Sequence, residues 1–548
     1  VNERHNIFGR YIHDKYDLID PYGTFINSAL PTIPTNRLRP GYSVQVAHTW
    51  IIQPTLINEA RIGLNRERTT RLQPYGNDTS NIPQQFGING VLQSQGNGGL
   101  PYLGIGGLSQ LGSSEWLVSD RFSNTVQFTE NLTKVYKSHT FKGGFELQQI
   151  YFPWIAPPYS RGGFDFNGQF TSIPNNADGS TGRAQFLLSP TASSVPGGVG
   201  MVGGADSVNA SNFGGVAAQR SYRGAYFQDD WKVSRKLTVN LGVRWDYFSP
   251  TGERYNAQAN FVPGTPFGGA EYLIPSARQN KPQLSPSFIQ LLQQDGIKLA
   301  YTNQYGSGLS QVQKANLAPR FGFAYQLLPR LVVRGGYGFY YGAFENRGGY
   351  PSLGYSYPFQ YSFSYPAPNS VAPVTFPNGT IGTLENGLSS IPLDPTQVTA
   401  AGLTLRGIQL HYKTPYVQSY NLSLQYQLTG KDSVEAGYVA SLSRHLETFV
   451  GTNQQSILLP PGVDPQPYVP FPDFARGSSF ADTIGTANYH SLQTKYVRRF
   501  AQGLTALVSY TFSKTRTDAG DLLSGGNDYF LPIEAVQAVL RHRHGSDS

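Results

Sequence analysis

The sequence predicts an all-β protein, and within that class a large antiparallel transmembrane β-barrel with long extracellular loops and short periplasmic turns. Three observations predict it. The composition is rich in aromatic residues and poor in charge, apolar and polar residues alternate along many segments, and short and long connections follow one another in a regular order. In combination, these features are typical of barrels that cross a membrane with strands.

The composition excludes several classes of protein. The 548 residues include 35 Tyr, 32 Phe and 5 Trp, and only 14% of them are charged. The 61 glycines and 38 prolines exclude a long helical bundle, and disordered chains are poor in aromatic residues. The absence of cysteine excludes disulfides, thiol catalysis and zinc-thiolate sites. The net charge of +8 is modest and unclustered, so we expect no nucleic-acid partner.

Alternation of apolar and polar side chains marks the strands. Along residues 416–428, the even-numbered positions are mostly Tyr and Leu, while the odd-numbered positions are mostly Ser, Asn and Gln. Such segments exceed the five or six residues usual in a globular sheet, and they reach the roughly 9–11 residues of a tilted transmembrane strand. The predicted strands are 5–16, 42–53, 55–66, 121–135, 140–152, 222–233, 237–247, 318–328, 331–343, 416–428, 433–446, 488–499 and 504–515.

Short and long connections alternate along the chain. The six tight connections are Pro54, 137–139, 234–235, 329–330, 429–432 and 500–503. The long segments are 67–120, 153–221, 249–317, 344–415 and 447–487. Loops of that length are uncommon in compact domains, whereas outer-membrane barrels have short turns on one side and long loops on the other. A short helix is predicted at 287–294 within one of these loops.

Backbone hydrogen bonding separates the possible architectures. A chain in hydrocarbon must pair every N–H and C=O internally, so only helices or closed barrels cross a membrane. No apolar run here approaches the ~20 residues that a membrane helix needs, so a membrane protein of this sequence has to be a barrel. The alternative is a large secreted β-sandwich, propeller or adhesin, whose strands are shorter and whose turns come every ~8–12 residues.

No motif indicates an enzyme. Residues 198–203 match the string G-x-G-x-x-G, but they lie in a glycine-rich loop without the strand and helix that a dinucleotide site needs. His542 and His544 stand in a basic terminal segment, which is more simply interpreted as a solvated tail than as a metal site. We therefore predict no catalytic residues, no cofactor and no metal.

The candidate functional residues lie on the polar faces of predicted strands. They are Arg61, Arg244, Asp246, Asn421, Gln425 and Glu435. In a barrel they would face the lumen, where a structural ion-pair network is the simpler interpretation and contact with a ligand is the alternative. Trp50, Trp231 and Tyr247 lie near strand ends and fit the aromatic girdles found at membrane interfaces.

Several segments carry a family resemblance. Residues 227–250 read FQDDWKVSRKLTVNLGVRWDYFSP, and further segments at 318–341, 414–428 and 488–514 carry similar strand patterns. In these segments the chain resembles TonB-dependent outer-membrane transporters, in particular the Oar-like branch. The string QDDWKVS with its continuation is fairly specific, while the other segments are generic barrel strands when taken singly. The resemblance covers most of the chain.

The resemblance implies a location in the cell outer membrane, in contact with its lipid. Residues 1–515 would be part of a 22-stranded barrel, and 516–548 an irregular C-terminal tail. The implied function is uptake of a bulky ligand, such as a glycan, peptide or metal chelate, driven by the TonB complex through an N-terminal plug. The chain shows no plug, no TonB box and thirteen strands, so we expect an incomplete barrel that cannot close alone. The alternative function is a surface adhesin or structural barrel that binds through its loops.

Overall fold

The computed structural model consists of one large antiparallel sheet with a folded group of loops at one end. It describes residues 3–21, 35–73, 75–172, 181–188, 204–264, 269–342, 353–369, 372–399, 402–455, 457–460, 463–501, 503–519 and 529–530. The structural statements below concern these residues. The glycine-rich string at 198–203 and the pair His542 and His544 lie outside them.

Thirteen long strands form the sheet, and each pairs antiparallel with the next along the chain. They are β1 (His5–Asp20), β2 (Thr35–Gln53), β3 (Leu56–Leu72), β4 (Ser119–Tyr136), β5 (His139–Ile155), β6 (Val216–Lys232), β7 (Leu237–Phe248), β8 (Asn316–Leu328), β9 (Leu331–Tyr341), β10 (Tyr416–Gln427), β11 (Asp432–Gly451), β12 (Ser479–Ala501) and β13 (Leu504–Thr517). Three short strands join the same sheet, at Gly252–Glu253, Arg406–Ile408 and Tyr529–Phe530. Within the described residues, β1 and β13 each pair with one long strand only.

All thirteen predicted strands and all six tight connections are confirmed, although residue 343 of one predicted strand and residue 502 of one connection lie outside the described residues. Several strands are longer than predicted, chiefly at the end next to a long loop: β2 begins at Thr35 rather than at 42, and β12 at Ser479 rather than at 488. The difference has a physical reason. A ladder needs only backbone partners, whereas the alternation of side chains ends where one face no longer differs from the other.

The pairing register gives the sheet two faces of opposite chemistry. On β10, Leu422, Leu424 and Tyr426 share one face and are 51%, 49% and 40% exposed. Their partners on both neighbouring strands are again Gly, Ala, Val, Leu or Tyr. We call this side the apolar face, and the opposite side, which carries Asn421 and Gln425, the polar face. An exposed apolar face of this kind suits contact with lipid.

Arginine substitutions should separate the two faces. We expect Leu422→Arg to cost roughly 2–4 kcal/mol of folding free energy in a bilayer, because the guanidinium would enter hydrocarbon near the middle of β10. The matched change Asn421→Arg, on the polar face one residue away, should cost little. Spin labels placed in turn at 421–426 should show access to lipid at even positions and to water at odd positions. Equal access to water at every position would contradict a membrane-spanning sheet.

The long connections fold together into what we call the loop cap. It contains helices α1 (Ile82–Gln85), α2 (Thr181–Leu187) and α3 (Pro286–Gln294), and 3-10 turns at Ser276–Arg278, Pro395–Gln397 and Gln466–Tyr468. Its remaining short strands are Tyr102–Ile105, Leu111–Gly112, Gly163–Phe166, Ser207–Ser211, Asn260–Val262, Glu271–Pro275, Lys298–Thr302, Gln311–Val312, Ser362–Pro366 and His411–Tyr412. The predicted helix at 287–294 is confirmed as α3.

The main hydrophobic core lies in the loop cap and not in the sheet. Every buried residue of this core comes from a long connection. Helix α3 contributes Phe288 and Leu292, which lie four residues apart on one helical face and are fully buried. The Phe288 ring contacts Tyr357 with centroids 4.3 Å apart, Tyr272 at 5.4 Å and Phe474 at 6.1 Å. The cap is therefore a packed unit that closes over one end of the strands.

Candidate functional site

The register places the six candidate residues on the polar face, but it brings only some of them together. Arg61 lies on the polar face of β3, opposite Thr129 of β4, and forms an ion pair with Glu59. Gln425 and Glu435 face each other across β10 and β11. Asn421 lies four residues before Gln425 on the same face of β10. Among the described residues, no hydrogen bond or ion pair is seen between these four side chains and Arg244 or Asp246 of β7.

Arg244 forms the centre of a charged network on β7. Its Nε donates to Asp246 Oδ1 at 2.8 Å, and its Nη2 lies 3.4 Å from Glu146 Oε2 on β5. Tyr222 of β6 donates its hydroxyl to Asp246 Oδ1 at 2.6 Å and accepts a hydrogen bond from Arg244 Nη2. Asp246 is only 5% exposed. Arg244 is thus held by two carboxylates and a phenol, which fixes its position.

Glycine at position 224 allows this network to form. Gly224 on β6 lies directly between Glu146 and Asp246 in the ladder. A Cβ atom at this position would be 2.7 Å from Arg244 Nη2 and closer still to the Tyr222 hydroxyl. The missing side chain therefore leaves the space in which the side chains of neighbouring strands meet.

A pocket with a free volume of about 330 Å³ opens on the polar face beside this network. Its charged lining consists of Arg220, Arg244 and Arg320, with Glu146 and Asp246 as the acidic residues. Three guanidinium groups thus face two carboxylates. Tyrosines from β6 and β9, among them Tyr222, Tyr340 and Tyr341, complete the wall together with Gln148, Ile150, Ser221 and Phe248.

A second cavity adjoins the first on the side of the loop cap. It has a free volume of about 50 Å³ and is mostly apolar, with Trp154, Val216 and Leu353 in its lining. Arg220 and Phe248 line both cavities. Tyr355 of the cap packs behind Trp154, with ring centroids 6.0 Å apart, and its hydroxyl donates to the Ala156 carbonyl at 2.9 Å. The two cavities are therefore neighbours, one mostly apolar and the other polar.

The loop cap contains a separate group of carboxylates. Burial, reinforced by nearby Asp165 and opposed by Arg406, raises the pKa of Glu115 to about 7. Burial also raises the pKa of Asp165, although the Ser207 hydroxyl donates to it at 2.8 Å.

In the part of the chain that the structure describes, no group of three or more His, Asp or Glu side chains is arranged to hold a metal ion. Within the same ranges, no helix is long and apolar enough to cross a membrane.

The long antiparallel strands, the two faces of the sheet and the alternation of turns and loops define an outer-membrane β-barrel protein. The family model described as "Outer membrane beta barrel domain" matches residues 1–545. The chain therefore belongs to the outer membrane beta barrel domain family. This confirms the predicted location in the cell outer membrane. No curated protein matches the chain.

Solved structures of outer-membrane transporters resemble the chain at low sequence identity. The transporter YddB from Escherichia coli aligns with a TM-score of 0.46 and 10% identity over 94% of this chain and 46% of its own. The FrpB iron transporter from Neisseria meningitidis gives 0.40 and 12%, over 94% and 51%. The ferric yersiniabactin uptake receptor FyuA from Yersinia pestis gives 0.41 and 8%, over 94% and 50%. The chain thus spans about half the length of these proteins.

Proposed function

We propose that this chain forms part of the barrel wall of a TonB-dependent receptor, which takes up a bulky ligand across the outer membrane. The observation that carries the proposal is the charged pocket on the polar face, directly below the loop cap. The polar face of an outer-membrane barrel lines its interior. A ligand that passed the loops would therefore meet Arg244, Asp246 and their neighbours first.

The coupling to energy is part of the same proposal. The resemblance of residues 227–250 to the Oar-like branch supports a plug and a TonB box that act with this barrel, and an inner-membrane TonB complex as the partner. The long loops and the wide sheet support a bulky ligand, such as a glycan, a peptide or a metal chelate. Arg61, Asn421, Gln425 and Glu435 would line the lumen away from the pocket and contribute to its polar surface.

Uptake and adhesion make different predictions for living cells. Cells that express the full gene should accumulate label from a mixture of fluorescent oligosaccharides, fluorescent peptides and radioactive ferric citrate. We expect accumulation to fall at least tenfold when a protonophore dissipates the proton gradient or when TonB is deleted, because transport of this type needs energy. A surface adhesin would retain its label under both treatments. Accumulation that does not depend on energy would therefore contradict the proposal.

A further inference from the structure

We infer that the pocket binds an anionic group of the ligand, attached to an apolar or aromatic part, and that Arg320 is the residue that receives the anion. This inference deepens the uptake function proposed above and rests on it for the access of the ligand from the lumen. It concerns a residue that the sequence did not single out. Three features of the pocket carry it.

The first feature is that Arg320 has no acidic partner among the described residues. In the described part of the chain, no carboxylate forms an ion pair with this guanidinium, whereas Arg244 in the same pocket is held by Asp246 and Glu146. The Cζ atom of Arg320 instead lies 4.7 Å from the ring centroid of Tyr340. A guanidinium next to an aromatic ring keeps its N–H donors available to a further partner.

The second feature is the space around Arg320. Its direct partners in the ladder are Gly242 on β7 and Gly338 on β9, so the positions directly opposite Arg320 on both neighbouring strands carry no side chain. A Cβ atom at Gly338 would lie 3.3 Å from Arg320 Cγ and 3.2 Å from the Tyr340 hydroxyl. The two glycines therefore leave Arg320 and Tyr340 room to lie side by side, with the guanidinium open to the pocket.

The third feature is the balance of charge and polarity across the two cavities. Three arginines against two carboxylates leave a net positive charge in a concave site, and this charge would attract an anion. Guanidinium groups bind carboxylates and phosphates through two parallel hydrogen bonds. The adjoining apolar cavity, lined by Trp154 and Phe248, would accept the uncharged part of the same molecule.

Binding to outer-membrane vesicles from cells that express the full gene tests the inference. The probes are radiolabelled 3-phenylpropionate, phenyl phosphate and the uncharged 3-phenylpropanol, and vesicles without the protein give the background. We expect at least one of the two anions to bind at least tenfold more tightly than the alcohol, and comparison of the two anions distinguishes carboxylate from phosphate ligands. Raising the salt concentration should weaken binding of the two anions and leave binding of the alcohol unchanged.

Two arginine variants on the polar face make the test specific. Arg320→Gln should weaken anion binding about tenfold or more, as expected for the loss of a charge-assisted hydrogen bond. Arg320→Lys should retain most of it. Arg334→Gln removes the same charge from the polar face of β9, where Nη1 donates to Gln425 Oε1 at 2.6 Å away from the pocket, and should bind as the parent does.

Two results would overturn the inference. The first is equal binding of the anions and the alcohol, and the second is an equal loss of anion binding in Arg320→Gln and Arg334→Gln. The comparison of anions with alcohol on the unchanged protein decides the question even if Arg320→Gln does not fold. Anion binding through Arg320 without energy-dependent accumulation in cells would contradict uptake and support the binding site. Energy-dependent accumulation with no effect of Arg320→Gln would support uptake and contradict the binding site.

Discussion

Replacing Arg244 by methionine is expected to lower the free energy of unfolding by about 3 kcal/mol. The variant would leave the carboxylates of Asp246 and Glu146 facing each other without their shared cation, and Asp246 is 5% exposed. Removal of one partner of a buried ion pair typically costs about 3–5 kcal/mol, because it leaves an uncompensated charge. We expect the lower end of that range, since the Arg244 side chain keeps 20% of its surface exposed.

Unfolding of the protein in membranes by urea measures this effect. The matched control is Arg61→Met, which breaks the ion pair with Glu59 at a position where the arginine side chain is 50% exposed. An exposed pair contributes about 0–1 kcal/mol, so this variant should stay close to the parent. The double variant Arg244→Met with Asp246→Asn should recover part of the loss. A loss in Arg244→Met no larger than in Arg61→Met would show that the network is not structural.

Replacing Phe288 by alanine should open the loop cap and leave the sheet intact. Phe288 is fully buried and contacts three other aromatic rings, so its truncation should cost about 3–5 kcal/mol. The loss falls on the cap because the thirteen long strands contribute no residue to that core. Protease added to intact cells should then cut within 249–315 much faster than in the parent, and it should spare the turns at 137–138 and 428–431.

An exposed phenylalanine of the same cap provides the control. Phe86 follows helix α1 and is 70% exposed, so Phe86→Ala should leave the rate of cleavage unchanged. Cleavage at the short turns in sealed cells would contradict the predicted topology. Equal protection of Phe288→Ala and the parent would show that the cap core does not hold the loops together.

The sheet could be predicted from the sequence because its signals are local. Along 416–428 each position differs in polarity from the next, and a slip of one residue would exchange the two faces. Pro54 and 329–330 mark tight turns without any knowledge of the rest of the chain. The strand ends were less accurate, as at Ser479, because backbone pairing continues beyond the alternation of side chains.

The loop cap and most of the pocket could not be predicted in this way. Phe288, Tyr357 and Phe474 meet in space although they belong to three different loops, and no periodicity connects them. Arg244 and Asp246 were found because they share one strand. Glu146, Tyr222 and Arg320 reach the same pocket only through the register of other strands, which a single sequence does not reveal. The available signal was the glycines at 242 and 338, which leave the positions opposite Arg320 without side chains.

The position of the hydrophobic core also decides the order in which the protein can fold. Loops that are far apart in the chain can meet only after the strands beneath them have paired, since long-range contacts form slowly until their ends are held together. We therefore expect the cap to assemble late in folding, after the strands below it have paired with their correct neighbours. A misregistered sheet would leave the cap's aromatic residues without their packing partners and exposed to solvent and to proteases.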